Sequence, residues 1–357
     1  MIALALVAAL AAGTLDKAFV RATHPSLSDA EFEKKWAGAM VSPVLFIRSY
    51  PAAFHKLVAA GPRPPGPEGL CLGDAHPGNF GFLSLAGKTR FAYNDLDDSG
   101  YCPIGFDALR YFTALRLFFA DEGLFKEVLE QYVDTVKDAG RAAEVDKSHR
   151  PDWKKLRAKG IEKTAGQGKL AGEDVSAIPA AEKQAVLAAA AKDAGLRALR
   201  ILDVAAATHE AGGSGGLKRY WLLAEKGGER TIIELKTAGQ PGVEWGRSAK
   251  KLSMEQRLPL LKRAFWGNEA RGDYFYATLR GARFLVRDRF TKKSLKVEEL
   301  ADKGRRDVLR AQASAMALIH AKAWDGTKKD DLRAWLLAES KAQAAVWRAA
   351  YAAAKRK

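Results

Sequence analysis

The densest group of chemistry-bearing residues in this chain is GDAHPGNF at 73–80, followed closely by NDLDDSG at 94–100. Asp74 leaves a short apolar strand onto a turn-rich loop, Asn79 lies five residues further on, and Asp95 ends the next strand-like piece. Two carboxylates and an amide brought together suit a hard cation such as Mg²⁺. That ion takes few protein ligands and leaves coordination positions for phosphate oxygens. A carboxylate not engaged by metal can orient or deprotonate a hydroxyl nucleophile. The same residues could instead form a turn whose Asp and Asn side chains cap their own backbone. Five acids, Asp74, Asp95, Asp97, Asp98 and Asp107, gathered within a strongly basic chain weigh against that blander reading.

A second feature is the turn AGGSGG (211–216) between apparent strands, followed by IELK (233–236). Glycines let backbone N–H groups approach a phosphate, and a strand-borne Lys adds a point charge beside it. Alone, GGSGG reads equally well as a flexible linker. Beside an Mg²⁺ site, the two features supply complementary parts for holding a nucleoside triphosphate. The Asp74-Ala75-His76 triplet also invites a dinuclear phosphoesterase reading, but His24, His55, His149, His209 and His320 stand in none of the contexts that chemistry needs.

These residues must be positioned by the elements around them. Ser28 to Ala60 has helical spacing, with Ser28 as N-cap, and GPRPPGPEG (61–69) breaks it. A short strand at 70–72 follows, then strands at 82–85 and 90–94 around a turn at Gly87, and an apolar helix over 106–119. Residues 137–200 are rich in Ala, Lys and Glu and read as helical. From about 205 to 290 the pattern changes to strands separated by glycine turns, with a helix at 254–266. Long helices close the chain, one spanning 307–324.

Composition sets wider limits. The 357 residues carry 58 Lys+Arg against 42 Asp+Glu, a formal charge of +16, and are 48% hydrophobic. That excludes wholesale disorder, collagen and coiled coil. The basic charge admits a nucleic-acid partner, yet the basic residues are scattered and no nucleic-acid-binding signature is present. Cys71 and Cys102 cannot build a disulfide framework and read as two small, partly buried thiols. The uncharged opening at 1–15 is too short to span a bilayer. It resembles the apolar part of a secretory signal but lacks the basic flank, so a packed Ala/Leu helix and a cytoplasmic location are expected, with export as the alternative.

GDAHPGNF and NDLDDSGYCPIGFDALR together resemble the catalytic and metal-binding segments of aminoglycoside and choline phosphotransferases, in the protein-kinase-like superfamily. The whole chain is similar to the bacterial "domain of unknown function 2252" family, whose order SPVLFIRSYPAAFH (42–55), GDAHPGNFG, NDLDD, the late glycine turn and GDYFYATLRG (272–281) it follows. The resemblance implies that Asp74 is the catalytic aspartate, that Asn79 and Asp95 hold Mg²⁺, and that Asp107 braces the catalytic loop with His76. It implies that Lys236 contacts the ATP phosphates beneath Gly213, Ser214 and Gly216, with Glu255, or alternatively Glu244, as the partner of Lys236. Asp97 and Asp98 would be secondary metal or substrate contacts. Leu72 stands where many relatives carry His, and Ala211 where the family's first loop glycine falls.

The expected fold is therefore α+β, a protein-kinase-like two-lobe arrangement that is circularly permuted. Its large helical lobe would occupy 1–200, with a helical insert at 137–200. The small β-rich nucleotide-binding lobe would follow at 201–290, and 291–357 would complete the large lobe. The expected function is ATP- and Mg²⁺-dependent transfer of a phosphoryl group to a hydroxyl of a small molecule or protein. Transfer of the whole nucleotide would need the same parts. A nucleotide-binding pseudokinase or scaffold, or a basic nucleic-acid-binding protein, are the alternatives.

Overall fold

The computed structural model describes residues 15–165, 168–207, 212–213, 215–248, 250–267, 274–324 and 329–356. Among the described residues the first helices are α1 (Lys17–Arg21), α2 (Asp29–Ala39), α3 (Pro43–Ser49) and α4 (Pro51–Ala59). Ser28 caps α2 in a reciprocal box with Glu31, satisfying two amides that the first turn would leave open. The single helical stretch expected over 28–60 is thus three helices. Pro43 and Pro51 each take a first helical position, where a missing N–H costs nothing, and each starts a new helix.

Next come β1 (Glu68–Cys71), the hairpin β2 (Phe80–Leu85) and β3 (Lys88–Tyr93), and β4 (Gly100–Pro103). β4 was not legible in the sequence, being four residues long with glycine and proline at its ends. It runs antiparallel to β1, with Cys71 opposite Gly100 and Cys102 opposite Gly69. This diagonal placement brings the two cysteines within reach, and they form a disulfide rather than two free thiols. The expectation failed because only strand pairing reveals the proximity of residues 31 apart in sequence.

Helices α5 (Ile104–Phe118) and α6 (Glu122–Lys137) follow, α5 buried around most of its circumference. Beyond them lie α7 (Trp153–Thr164), β5 (Val175–Ser176) and α8 (Ala180–Lys192). β6 (Arg200–Ala207), β7 (Arg219–Lys226) and β8 (Glu229–Thr237) form a meander, then α9 (Met254–Trp266), β9 (Phe275–Leu279) and β10 (Ala282–Asp288) complete a second unit. β11 (Lys292–Ser294), α10 (Asp302–His320) and α11 (Lys329–Lys355) end the chain.

The protein is a mixed α+β structure, and its described residues form three sheets. The largest has strand order β5-β6-β7-β8-β10-β9, and β11 joins the β2–β3 hairpin to make the second. Strand alternation decides what each face of the large sheet carries. Ile233 and Leu235 pack with Val186 and Ala190 of α8. Their neighbours Glu234 and Lys236 therefore point to the opposite face, toward the hairpin and its loops. A one-residue slip in register would exchange the two sets. The main core gathers α2–α6, α10 and α11 around Phe46, Phe54, Phe112, Tyr132 and Trp347. No described helix is long and apolar enough to cross a membrane.

Candidate functional site

The loop from 72 to 79 is held by buried partners on every side. Asp107, in the first turn of α5 and fully buried, accepts hydrogen bonds from Leu72 N at 2.6 Å and Gly73 N at 2.9 Å. His320 Nε2 lies 3.0 Å from the same carboxylate, and Tyr132 Oη lies 2.8 Å from His320 Nδ1. Ser99 and Tyr93 hydroxyls donate to Leu72 O, while His55 Nε2 donates to Gly73 O at 2.7 Å. Burial pushes the His55 imidazole down to about 4, so this donor is neutral near pH 7. Gly73 sits at φ +80°, and a Cβ there would fall 1.9 Å from Asp98 O. Only glycine lets the two loops cross so closely.

Asp74 emerges from this anchor into a polar cleft. Arg110 grips its Oδ1 through both Nε, at 3.1 Å, and Nη2. Asn79 Nδ2 donates to Oδ2 at 3.1 Å, and His76 Nε2 lies at 3.5 Å. Burial alone would raise this carboxyl, but Arg110 and His76 overcome it and hold Asp74 well below the usual carboxylate range. His76 Nδ1 accepts from Gly78 N at 3.0 Å, which orients the ring within the loop. Burial lowers His76 to about 4, so its contact with Asp74 is polar rather than ionic near pH 7. The structure thus brings Asp74, His76 and Asn79 together, with Asp107 one layer beneath.

The second loop, 94–99, runs alongside, tied to the first by Asn94 N donating to Asn79 O at 2.9 Å. Asp95 lies 3.6 Å from Arg287 Nη1 and 3.9 Å from Lys292 Nζ, while its Oδ1 is buried with no hydrogen-bond partner. Burial would raise Asp95, but Lys236, Lys292 and Arg287 together keep it ionised far below its ordinary value. Asp98 behaves oppositely. Burial, followed by the charges of Asp74 and Asp95, pushes it up to about 7, although its Oδ1 accepts from Gly242 N at 2.9 Å. Two carboxylates in one cleft are thus driven apart by their surroundings, as an acid–base site requires.

Lys236, on β8 and almost fully buried, enters the cleft from the sheet. It pairs with Asp97, and burial lowers it to about 7. Glu255 is not its partner. It lies in the exposed first turn of α9 and pairs with Arg283. Glu244 lines a neighbouring cavity and forms no described ion pair with Lys236. Sequence order pointed to a helix-borne Glu, whereas loop 94–99 delivers Asp97 to that place.

Gly213 lies where a Cβ would sit 3.4 Å from Asp74 Oδ2, so the glycine turn approaches the catalytic-type loop closely. Lys35 of α2 donates to the carbonyls of Gly212 and Gly213 at 2.8 Å each, and Gly212 N donates to Ser49 Oγ. Gly216, at φ +79°, sits instead against Leu27 and Glu31, away from the cleft floor. Ser214 and Ala211 lie outside the described residues, as do Gly272 and Asp273 of the GDYFYATLRG segment.

The sequence reading missed several participants. Arg110 stands one helical turn after Asp107, a spacing that could have placed it on the same face. Glu234, two residues before Lys236, shares its sheet face. It receives Arg219 at 3.1 Å, Arg287 at 2.6 Å and Arg289 at 3.1 Å, and the Arg289 guanidinium stacks 3.7 Å from the Trp221 ring centre. Burial would raise Glu234, and the three guanidiniums hold it far below its ordinary value. These arginines come from β7, β10 and the turn that follows β10, so no local pattern announces them.

The residues line two cavities, each of about 480 Å³. One contains Asp74, Asn79, Asp95 and the arginine group around Glu234; the other is more apolar and reaches Trp245 and Met254. Asp97, Asp98, Gly213 and Lys236 belong to both. Among the described residues there is no group of three or more His, Cys, Asp or Glu side chains arranged to hold a metal ion. Asp95 with its unbonded Oδ1, and Asn79, an amide, are the donors available to one.

Fold and site together define a mixed α+β protein with a charged, two-chambered cleft between a six-stranded sheet and a helical body. The chain belongs to the family described as "Uncharacterized protein conserved in bacteria (DUF2252)", whose model matches residues 29–143 and 169–357. No curated protein matches the chain. No solved structure matches it either.

Proposed function

We propose that this protein transfers a phosphoryl group from Mg²⁺-ATP to a hydroxyl, using a circularly permuted protein-kinase-like arrangement. The observation that carries the reading is the convergence in one cleft of Asp74, Asn79, Asp95, Gly213 and Lys236, residues spread from loop 72–79 to strand β8. In protein kinases a Gly-rich loop covers the phosphates, the Lys stands on the third strand, and an Asp and a catalytic-loop Asn hold Mg²⁺. Here Lys236 is on the third strand of the β6–β7–β8 meander, and the glycine turn joins the first two.

Asp95 and Asn79 would hold the ion, and the buried Oδ1 of Asp95 without a hydrogen bond fits that use. The ion would neutralise charge developing on the transferred group. Asp74 is too acidic to be a strong base, but its fixed position suits it to accept and orient the acceptor hydroxyl. Phosphoryl transfer asks chiefly for such positioning and charge stabilisation. Lys236 adds a cation, which a bound triphosphate would favour in its charged form.

The test is a thermal-shift titration with ATP, with and without Mg²⁺, on wild type and Asp95→Ala. Ligand at 100 times its Kd stabilises the folded state by about 2.7 kcal/mol. The expected result is an Mg²⁺-dependent shift that Asp95→Ala abolishes. A shift indifferent to both Mg²⁺ and Asp95 would instead support a nucleotide-binding pseudokinase. No shift in a folded sample would overturn the nucleotide reading altogether.

A further inference from the structure

The more apolar chamber contains two charged groups that the proposed chemistry does not use, Glu244 and Arg257, with no described ion pair between them. Arg257, in the first turn of α9, is 2% exposed and lines this cavity beside Trp245, Leu252, Met254 and Tyr276. Its Nη2 donates to the Tyr276 hydroxyl. Nε and Nη1 are buried with no hydrogen-bond partner, and no described carboxylate pairs with it. The nearest acid in sequence, Glu255, turns outward to Arg283. Other buried arginines of the cleft are matched: Arg110 by Asp74, and Arg219 and Arg287 by Glu234.

An arginine does not escape burial by losing its proton. An unpaired charge at such depth is costly, and side chains so placed are matched by an opposite charge or a ligand. The guanidinium keeps Nε and Nη1, on different edges, without a partner, and an oxyanion is the kind of group that would satisfy its charge. The volume, about 480 Å³, matches a small organic molecule. At its other end the chamber meets Asp98, Lys236 and Gly213, which it shares with the nucleotide-side cavity.

We propose that this chamber binds an amphipathic organic acid, its carboxylate on Arg257 and its apolar or aromatic body against Trp245, Leu252 and Met254. Resting on the phosphotransfer reading, this ligand is the hydroxyl-bearing acceptor, its hydroxyl directed past the shared Gly213 toward Asp74.

The experiment uses the full chain and two dyes of similar shape: 8-anilinonaphthalene-1-sulfonate, an anion, and N-phenyl-1-naphthylamine, which is neutral. The anionic dye should bind wild type saturably at one site. Arg257→Met should weaken it at least tenfold while leaving the neutral dye unchanged, and Arg257→Lys should retain part of the affinity. Without ligand, Arg257→Met should melt no lower than wild type, because it removes an uncompensated charge; a purely structural arginine would lower the melting temperature. Anionic-dye binding that is absent, or equal in wild type and Arg257→Met, overturns the proposal, as does equal loss of both dyes. The Mg²⁺-ATP shift measured on the same samples separates the two ideas. If it persists while the anionic dye ignores Arg257, the chamber proposal alone fails. If it is missing while dye binding depends on Arg257, the organic-acid chamber stands and the phosphotransfer reading fails.

Discussion

Replacing Asp107 by Asn tests whether the loop carrying Asp74 is held from α5 by charge-assisted hydrogen bonds. The carboxylate takes three donors: Leu72 N and His320 Nε2 on Oδ2, and Gly73 N on Oδ1. Asn keeps one acceptor oxygen and turns the other position into a donor, so in either orientation at least one N–H faces an NH₂ group. Loss of one hydrogen bond to a charged group costs about 1.5–3 kcal/mol, and leaving a buried donor unsatisfied adds about 1–3 kcal/mol. The side chain is fully buried, so no water offsets this. A destabilisation of about 3–5 kcal/mol is expected, with the damage concentrated at Leu72 and Gly73. Denaturant titration gives the total, and amide hydrogen exchange of peptides covering 68–76 locates it. A loss below about 1 kcal/mol with unchanged exchange protection would refute the reasoning, because it would show that Oδ1 and Oδ2 are not what fixes the loop.

Three further perturbations follow from the same geometry. Gly73→Ala places a Cβ 1.9 Å from Asp98 O at φ +80°, so it should lower the melting temperature sharply, by strain of at least about 2 kcal/mol; an unchanged melt would mean the loops do not cross there. Asp98 is raised to about 7 from 3.8, so the native state keeps a proton the unfolded chain has released, and stability falls as pH rises through that window. Asp98→Asn should therefore stabilise the ligand-free protein by a few kcal/mol at pH 8 and by almost nothing at pH 4, and a pH-independent difference in melting temperature would contradict this. Reducing the Cys71–Cys102 bond, which closes a loop of 31 residues, should cost about 3–4 kcal/mol in a denaturant titration, with the Cys71→Ala/Cys102→Ala protein indifferent to reductant; equal stability with and without reductant in wild type would count against it.

Local pattern made much of the architecture legible. The helix over 254–266 matches α9, and β7 to β10 fall within the strand-and-turn pattern read from about 205 to 290. Apolar periodicity and glycine turns report directly on which face is buried and where the chain reverses. The mixed α+β class and the family membership followed from the same residues. The misses have equally local causes. Helices α2, α3 and α4 ran together because their apolar spacing continues across Pro43 and Pro51, and β4 was too short to show alternation.

What the sequence by itself determined is the inventory of polar groups: an Asp–Asn loop, a second acidic loop, a glycine turn, and a lysine in an apolar strand. Each is a short-range pattern whose residue types limit its chemistry. Only the tertiary structure decided who meets whom. It gave Lys236 to Asp97 rather than Glu255, and set three arginines around Glu234. It joined Cys71 to Cys102, and left Arg257 buried without an acid. Such pairings depend on strand register and on where loops cross. Electrostatic energies change steeply over a few ångströms when water is excluded, and separation along the chain carries no information about distances that small.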